Sequence, residues 1–212
     1  MIIRWLGHAA FTLEAGATRV VLDPHAPGVL GGRFQLPPIV GPFDAIVVSH
    51  AHEDHHAWRP ELGTENIIDT DQSVGQLEIR FRAVPHDGCC GGTMGWSRMI
   101  RVSDAAGNVV VHCGDIGHWS EDDLAWLADA HAVLIPVGGI YTLGATEAAE
   151  LCQRLPDAAI VPMHAADPQV DLPLASADDF VQALGREVSK RPQLSLPSPE
   201  ATGLVIRLSQ PR

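Results

Sequence analysis

Between Asp44 and His55 the chain reads Asp-Ala-Ile-Val-Val-Ser-His-Ala-His-Glu-Asp-His, placing four residues able to ligate a metal, His50, His52, Asp54 and His55, within six positions. Imidazole nitrogen and carboxylate oxygen suit a divalent cation, and a loop at a strand end holds them on rigid scaffold with coordination positions open for chemistry. His50 and His52 lie two apart, on one side of an extended segment, and can chelate one ion. Asp54 and His55 are consecutive, point differently, and suit a second ion. Three further candidates, His86, Asp115 and His164, follow later apolar runs. His86 is expected to complete a three-histidine set with His50 and His52, with His112 or His118 as substitutes. His164 is expected to join Asp54 and His55, with Asp115 as the bridge. Two dications about 3.5 Å apart repel by roughly 20 kcal/mol even at an effective dielectric constant of about 20, so anions must sit between them. The Asp115 carboxylate and a metal-bound hydroxide would serve, and the hydroxide would be the nucleophile. Nitrogen and oxygen donors without thiolate suit zinc, manganese or iron; two ions are expected, with zinc the first expectation.

Short strands must carry these groups. Ile2 to Leu6, Phe11 to Glu14 and Arg19 to Leu22 read as strands, the last two joined by a turn at Gly16. His25 to Pro42, rich in Gly and Pro, reads as a long loop bordering a site. The run Ala45 to Val48 leads into the histidine loop, and a short helix is expected from there to about Leu62. Leu77, Ile79, Phe81 and Ala83 alternate with polar residues, the mark of a strand with one wet face. Trp96 to Val102, Val109 to Cys113, Ala132 to Pro136, Ala159 to Pro162 and Gly203 to Leu208 are the remaining strand-like runs. Ser120 with Asp123, Thr146 and Ser176 read as starts of three helices. The stretch 188–202, rich in Pro, Ser and charge, reads as irregular. Strands ending at His50, His86, Asp115 and His164 can converge on one edge of a layered core.

The chain has 212 residues and a formal charge of -12, from 14 basic and 26 acidic side chains. One domain, 1–212, is expected. No Lys or Arg run could track a phosphate backbone, so nucleic acid is not an expected partner. No segment looks built to cross a membrane or to direct secretion. The four cysteines, without Cys-x-x-Cys spacing, read as reduced thiols of a cytoplasmic protein. A small-molecule substrate is expected, and a homo-oligomer is left open.

The pattern His-x-His-x-Asp-His at His50 to His55, followed by His86, Gly114-Asp115 and Pro162-Met163-His164, resembles the metallo-β-lactamase superfamily. Gly7-His8-Ala9-Ala10-Phe11, Asp23-Pro24 and Pro136-Val137-Gly138-Gly139 are similar to its branch of small metal-dependent hydrolases related to L-ascorbate-6-phosphate lactonase. The resemblance implies an α/β (α+β) fold, an αββα sandwich of two mixed sheets with helices on the outer faces and a binuclear site at one edge. It implies that Asp23 orients a ligand histidine. It also implies that His8 contacts substrate or a metal-bound water, which makes His8 and Asp54 the candidate catalytic residues. Ile116 departs from the Thr frequent in relatives, and Asp115 departs from true β-lactamases, which lack that carboxylate. Gly138, Gly139 and Tyr141 are candidates for lining the substrate pocket. The expected function is hydrolysis of an ester, lactone or phosphodiester of a small anionic molecule by a metal-bound hydroxide. The alternatives are an iron-dependent oxidoreductase and a non-catalytic metal-binding protein.

Overall fold

The computed structural model describes residues 1–211. The N-terminal half contains β1 (Ile2–Gly7), β2 (Ala10–Ala15), β3 (Thr18–Leu22), a short helical turn α1 (Val29–Gly32), β4 (Ala45–Val47), β5 (Ile67–Ile68), β6 (Gln72–Val74), β7 (Leu77–Pro85) and β8 (Trp96–Asp104). The C-terminal half contains β9 (Val109–His112), α2 (Glu121–Leu127), β10 (Ala132–Pro136), α3 (Ala145–Gln153), β11 (Ala159–Met163), α4 (Ala177–Leu184), β12 (Val188–Arg191), β13 (Leu194–Ser195) and β14 (Val205–Leu208). They form a six-stranded sheet in the order β13-β1-β2-β3-β4-β5 and an eight-stranded sheet in the order β12-β14-β11-β10-β9-β8-β7-β6.

Period-two alternation explains why the sheets stack. In β10, Ala132 and Leu134 face the six-stranded sheet, sharing a core with Leu13, Val20 and Val47. Val133 and Ile135 face the other way, among Leu127, Leu151 and Phe180 of the helices. The six-stranded sheet does the same on its far side, where Val21 and Ile46 are covered by Ile39, Phe43 and Leu62. The mixed sandwich is the expected one. Its helices α2, α3 and α4 gather on the eight-stranded sheet, and the far side of the six-stranded sheet is sealed by the 39–43 segment and the 3-10 turn Pro60–Leu62. The capping boxes at Ser120 with Asp123 and at Ser176 with Asp179 start α2 and α4.

Several local expectations need correction. The helix expected before Leu62 is one 3-10 turn, because Pro60 lacks the N–H that a longer helix needs. Gly144, not Thr146, precedes α3, which begins one residue before Thr146. The stretch read as irregular holds β12, parallel to β14, and β13, antiparallel to β1. Both are edge strands, and polar composition at a sheet edge masks pairing.

Strand direction places the site. β3 runs parallel to β4, and β9 to β10 and β11. β7 is two antiparallel steps from β9, and β1 two from β3, so they share these directions. His8, Asp23, the 50–55 loop, His86, Asp115 and His164 therefore all follow strand ends at one edge of the sandwich.

Candidate metal centre

The hydrogen bonds of the outer ring nitrogens set which atoms face inward. His50 Nδ1 donates to Ser49 Oγ at 2.9 Å, and Ser49 Oγ donates to Asp23 Oδ2 at 2.5 Å. His55 Nδ1 donates to the same Asp23 Oδ2 at 2.9 Å, while the Ser49 amide donates to Oδ1 at 2.7 Å. His86 Nδ1 donates to the Tyr141 carbonyl at 3.2 Å. Each of these rings thus holds a proton on Nδ1 and turns Nε2 towards the centre.

The inward atoms form two groups. His50 Nε2 lies 2.9 Å and His86 Nε2 3.2 Å from His52 Nδ1. Ligand nitrogens at about 2.05 Å in a tetrahedral zinc site would stand roughly 3.3 Å apart, so these two edges are near the length of a coordination-face edge. Asp54, His55 and His164 form the second group, together with His8, whose Nε2 is 3.3 Å from Asp54 Oδ2. Asp115 Oδ2 lies between the groups, 3.3 Å from His55 Nε2, 3.4 Å from both His86 Nε2 and His164 Nε2, and 4.0 Å from His50 Nε2. Asp23 also has an oxygen near His50 and His55. Its oxygens already accept hydrogen bonds from Ser49 and His55, so it acts behind the ligands.

The donors fit a cation by what the protein leaves unmade. His55 Nε2 and His8 Nε2 face carboxylate oxygens at 3.3 Å, while Asp115 Oδ1, His164 Nδ1 and His8 Nδ1 are buried without a hydrogen-bond partner in the protein. Each such atom costs on the order of 1–3 kcal/mol unless something pairs it. Charges are tightly balanced. Burial opposes a proton on His55, but Asp115 and Asp54 outweigh it and hold the ring's pKa well above the ordinary value. Burial would raise Asp115, yet His164 and His55 hold it well below the carboxylate range. Burial and the neighbouring His164 push His8 down to about 3, and burial with His55 brings His50 to about 3.

Backbone strain accompanies this geometry. His8, Asp23 and His164 have φ of 49°, 41° and 48°, the left-handed region that costs side-chain-bearing residues on the order of 1–3 kcal/mol. Gly114, at φ 55°, lets the chain turn beneath Asp115; a Cβ there would come 2.5 Å from the Arg98 carbonyl. Ser97 Oγ receives the Asp115 amide at 3.1 Å.

A family model described as the beta-lactamase superfamily domain matches residues 2–164. The chain belongs to the metallo-β-lactamase superfamily. A UPF0173 metal-dependent hydrolase of Pyrobaculum islandicum is 31% identical over 201 residues, covering 77% of this chain and 84% of that protein. Another, from Caldivirga maquilingensis, is 26% identical over 195 residues, covering 76% and 81%. A crystal structure from Thermotoga maritima, provisionally described as a Zn-dependent hydrolase of this superfamily, superposes with a TM-score of 0.71 at 27% identity, covering 99% of each chain. This member of the superfamily is thus a metal-dependent hydrolase in the family of its UPF0173 relatives.

In this hydrolase, a chamber of about 500 Å³ opens above His52, Asp54, His86, Asp115 and His164. Tyr141 lines it, whereas His8 is buried behind Asp54 and does not reach the chamber. Gly138 and Gly139 are also off the wall. Gly138 allows close approach, since a Cβ there would stand 2.2 Å from the His164 carbonyl oxygen. His112 lies outside the centre; its Nε2 donates to the Ala9 carbonyl at 2.8 Å and its Nδ1 accepts the Gly114 amide at 3.0 Å. Cys89 and Cys90 are exposed, and Cys113 and Cys152 are buried, with burial pushing the Cys152 thiol up to about 12.

Sequence reasoning missed Ser49 and Ser97, whose hydrogen bonds hold His50 and Asp115, and Leu172 to Leu174, which close one wall of the chamber. A serine just before the first histidine was the available signal for Ser49. The 172–174 wall gave none, because apolar residues there read as ordinary packing.

Proposed function

We propose that this hydrolase is binuclear and cleaves an ester, lactone or phosphodiester of a small anionic molecule. The position of Asp115 Oδ2, between the three-histidine group and the group of Asp54, His55 and His164, carries the reading. Like-charged ions in adjacent sites need an anion at that point. Ions bound there supply Lewis acidity to the electrophile and make water acidic enough to attack near neutral pH. Zinc fits this nitrogen and oxygen set, as do manganese and iron.

The chain's own groups have separate tasks. His50, His52 and His86 on one side and Asp54, His55 and His164 on the other would hold the ions, and Asp23 keeps His50 and His55 in register, the first through Ser49. Asp54 lines the chamber and is held ionised by His55 and His8 despite burial. Its carboxylate can take a proton from the attacking water, with His8 Nε2 3.3 Å away as the group behind it. Water oxygen bonds to the carbonyl carbon or phosphorus, the ester oxygen bond breaks, and the leaving oxygen takes the proton. The motif likeness to L-ascorbate-6-phosphate lactonase keeps a lactone among the candidate electrophiles. The exposed thiols of Cys89 and Cys90 support a reducing, cytoplasmic setting.

Metal analysis of protein purified without chelator is the test. About two equivalents of transition metal per chain, with Asp54→Ala folded but inactive on a panel of esters, lactones and phosphodiesters, is the expected result. Fewer than one equivalent, with no gain on adding zinc or manganese, overturns the reading. Iron with visible absorbance and oxygen uptake would point to oxidoreductase chemistry instead.

A further inference from the structure

The chamber narrows the substrate beyond this reading, on which the following inference rests. Its floor is the metal centre, but its walls are apolar: Leu30, Met94, Ile140, Leu172, Pro173 and Leu174 come from four separate segments of the chain. Ile140 is half exposed, and its φ of 51° holds it in a conformation that branched side chains rarely adopt. A side chain of this kind, outside the core and facing a cavity over reactive groups, is placed to meet a ligand rather than to fill space.

The charged groups of the rim are Arg33 and Glu53. The Glu53 carboxylate accepts the Leu30 amide at 2.9 Å and so holds the rim. Arg33 is different. The other described arginines each have a hydrogen-bond or ion-pair partner for the side chain, such as Arg4 with Glu14, Arg82 with Asp123 and Arg101 with Asp129. Arg33 has none among the described residues, in a protein with acidic groups in excess. A free guanidinium at the mouth of an apolar chamber is suited to one carboxylate or phosphate, in forked geometry.

We infer that the substrate is an ester or lactone with an apolar acyl body and a single anionic group at its far end, the body lying on the Leu172 to Leu174 and Ile140 walls and the anion on Arg33. A phosphodiester at the floor would leave its flanking polar groups against Leu30, Met94 and Leu174 with no donors to replace water, which disfavours it. Hydrolysis adds water across the acyl–oxygen bond, so the acid product carries one carboxylate at the floor and one anion at the rim.

That product supplies a probe that does not depend on turnover. Butanoate, hexanoate, octanoate and the eight-carbon dicarboxylate suberate are titrated calorimetrically into the metal-replete protein and into Arg33→Gln, a change at an exposed and unpaired side chain. Affinity should rise two- to fourfold per methylene from butanoate to octanoate, the upper figure being full burial of each methylene. Suberate should bind at least tenfold more tightly than octanoate, and Arg33→Gln should remove that gain while leaving octanoate within twofold. A flat response to chain length, or a suberate advantage that survives Arg33→Gln, overturns the inference. In parallel, 4-nitrophenyl acyl esters and bis(4-nitrophenyl) phosphate are assayed as substrates. Faster turnover of the phosphodiester overturns the acyl assignment and leaves the hydrolase reading standing. No turnover of either, together with length-dependent carboxylate binding, sinks the hydrolase reading alone and supports the amphiphilic anion as the chamber's ligand.

Discussion

Asp23→Asn tests whether one buried carboxylate organises both halves of the centre. The wild-type side chain accepts three hydrogen bonds, from the Ser49 amide and hydroxyl and from His55 Nδ1, and is fully buried. Asparagine has one acceptor oxygen, so in either orientation its NH2 faces a donor. The least harmful orientation, with NH2 towards the Ser49 amide, loses one charge-assisted bond, worth roughly 1.5–3 kcal/mol, and leaves buried donors unpaired at about 1–3 kcal/mol. A total of about 4 kcal/mol follows. For a chain of this length roughly 2–4 °C is lost per kcal/mol, so the melting temperature should fall by about 8–16 °C in calorimetry with chelator present. The pH dependence has a definite sign. Burial would raise the Asp23 pKa, but His112 and His55 hold it below the ordinary value. A depressed acid stabilises the fold above its unfolded value, near 4, and loses that stabilisation as pH falls through the folded value. The gap between wild type and variant should therefore be full at pH 6 and shrink below about pH 4. Because His50 and His55 belong to different groups, metal affinity should fall at both, by roughly 10–100-fold in competition with a chromophoric chelator. A melting temperature within 3 °C of wild type, or weakening at one group only, would refute the reasoning.

Two other perturbations address the loops. Gly138→Ala puts a Cβ 2.2 Å from the His164 carbonyl, so His164 must move; about 1–3 kcal/mol of stability should be lost, with metal released preferentially from the group that His164 serves, read by metal analysis after dialysis. An unchanged metal content would show that His164 tolerates the shift. Asp87 accepts the amides of Cys89, Gly91, Thr93 and Met94, which draw its carboxyl down to about 2, so these bonds should persist above pH 4 and be lost as pH falls towards 2. The NMR shifts of the Gly91 and Met94 amides should titrate with a midpoint near 2 and lose this titration in Asp87→Asn; a midpoint near 4 would remove the loop-ordering role.

Much of the candidate centre was legible because residues able to ligate a metal seldom stand at such dense spacing. His50, His52, Asp54 and His55 announce themselves, and apolar runs ending in His86, Asp115 and His164 suggested convergence, which the strand directions provide. What orients these groups was harder to read. Serine is common, so the place of Ser49 before the first histidine is a faint signal and Ser97 carries none until their hydroxyls are seen against Asp23 and the Asp115 amide. The positive φ of His8, Asp23 and His164 is imposed by tertiary packing against residue preference, and no local pattern reports it. β12 and β13 escaped notice because edge strands with a wet face have loop-like composition. Leu172 and Leu174 were indistinguishable from core, since an apolar residue facing a cavity and one facing a neighbour look alike in sequence.

The division between a floor of strand ends and walls of loops has an evolutionary consequence. Floor residues are bound into both sheets through Asp23, Ser49, Ser97 and His112, so a change at one disturbs the others. Wall residues such as Leu30, Met94, Ile140 and Leu172 sit on four segments outside the sheets, where insertions and substitutions are tolerated, Leu30 and Leu172 sharing one small cluster with Phe34 and Val170. Selection can therefore retune what enters the chamber through these loops, the Leu30 and Leu172 segments changing together, while inheriting the reaction intact. Descendants of one ancestor could share every ligand and no substrate, and a library confined to these four segments would explore that range without rebuilding the centre.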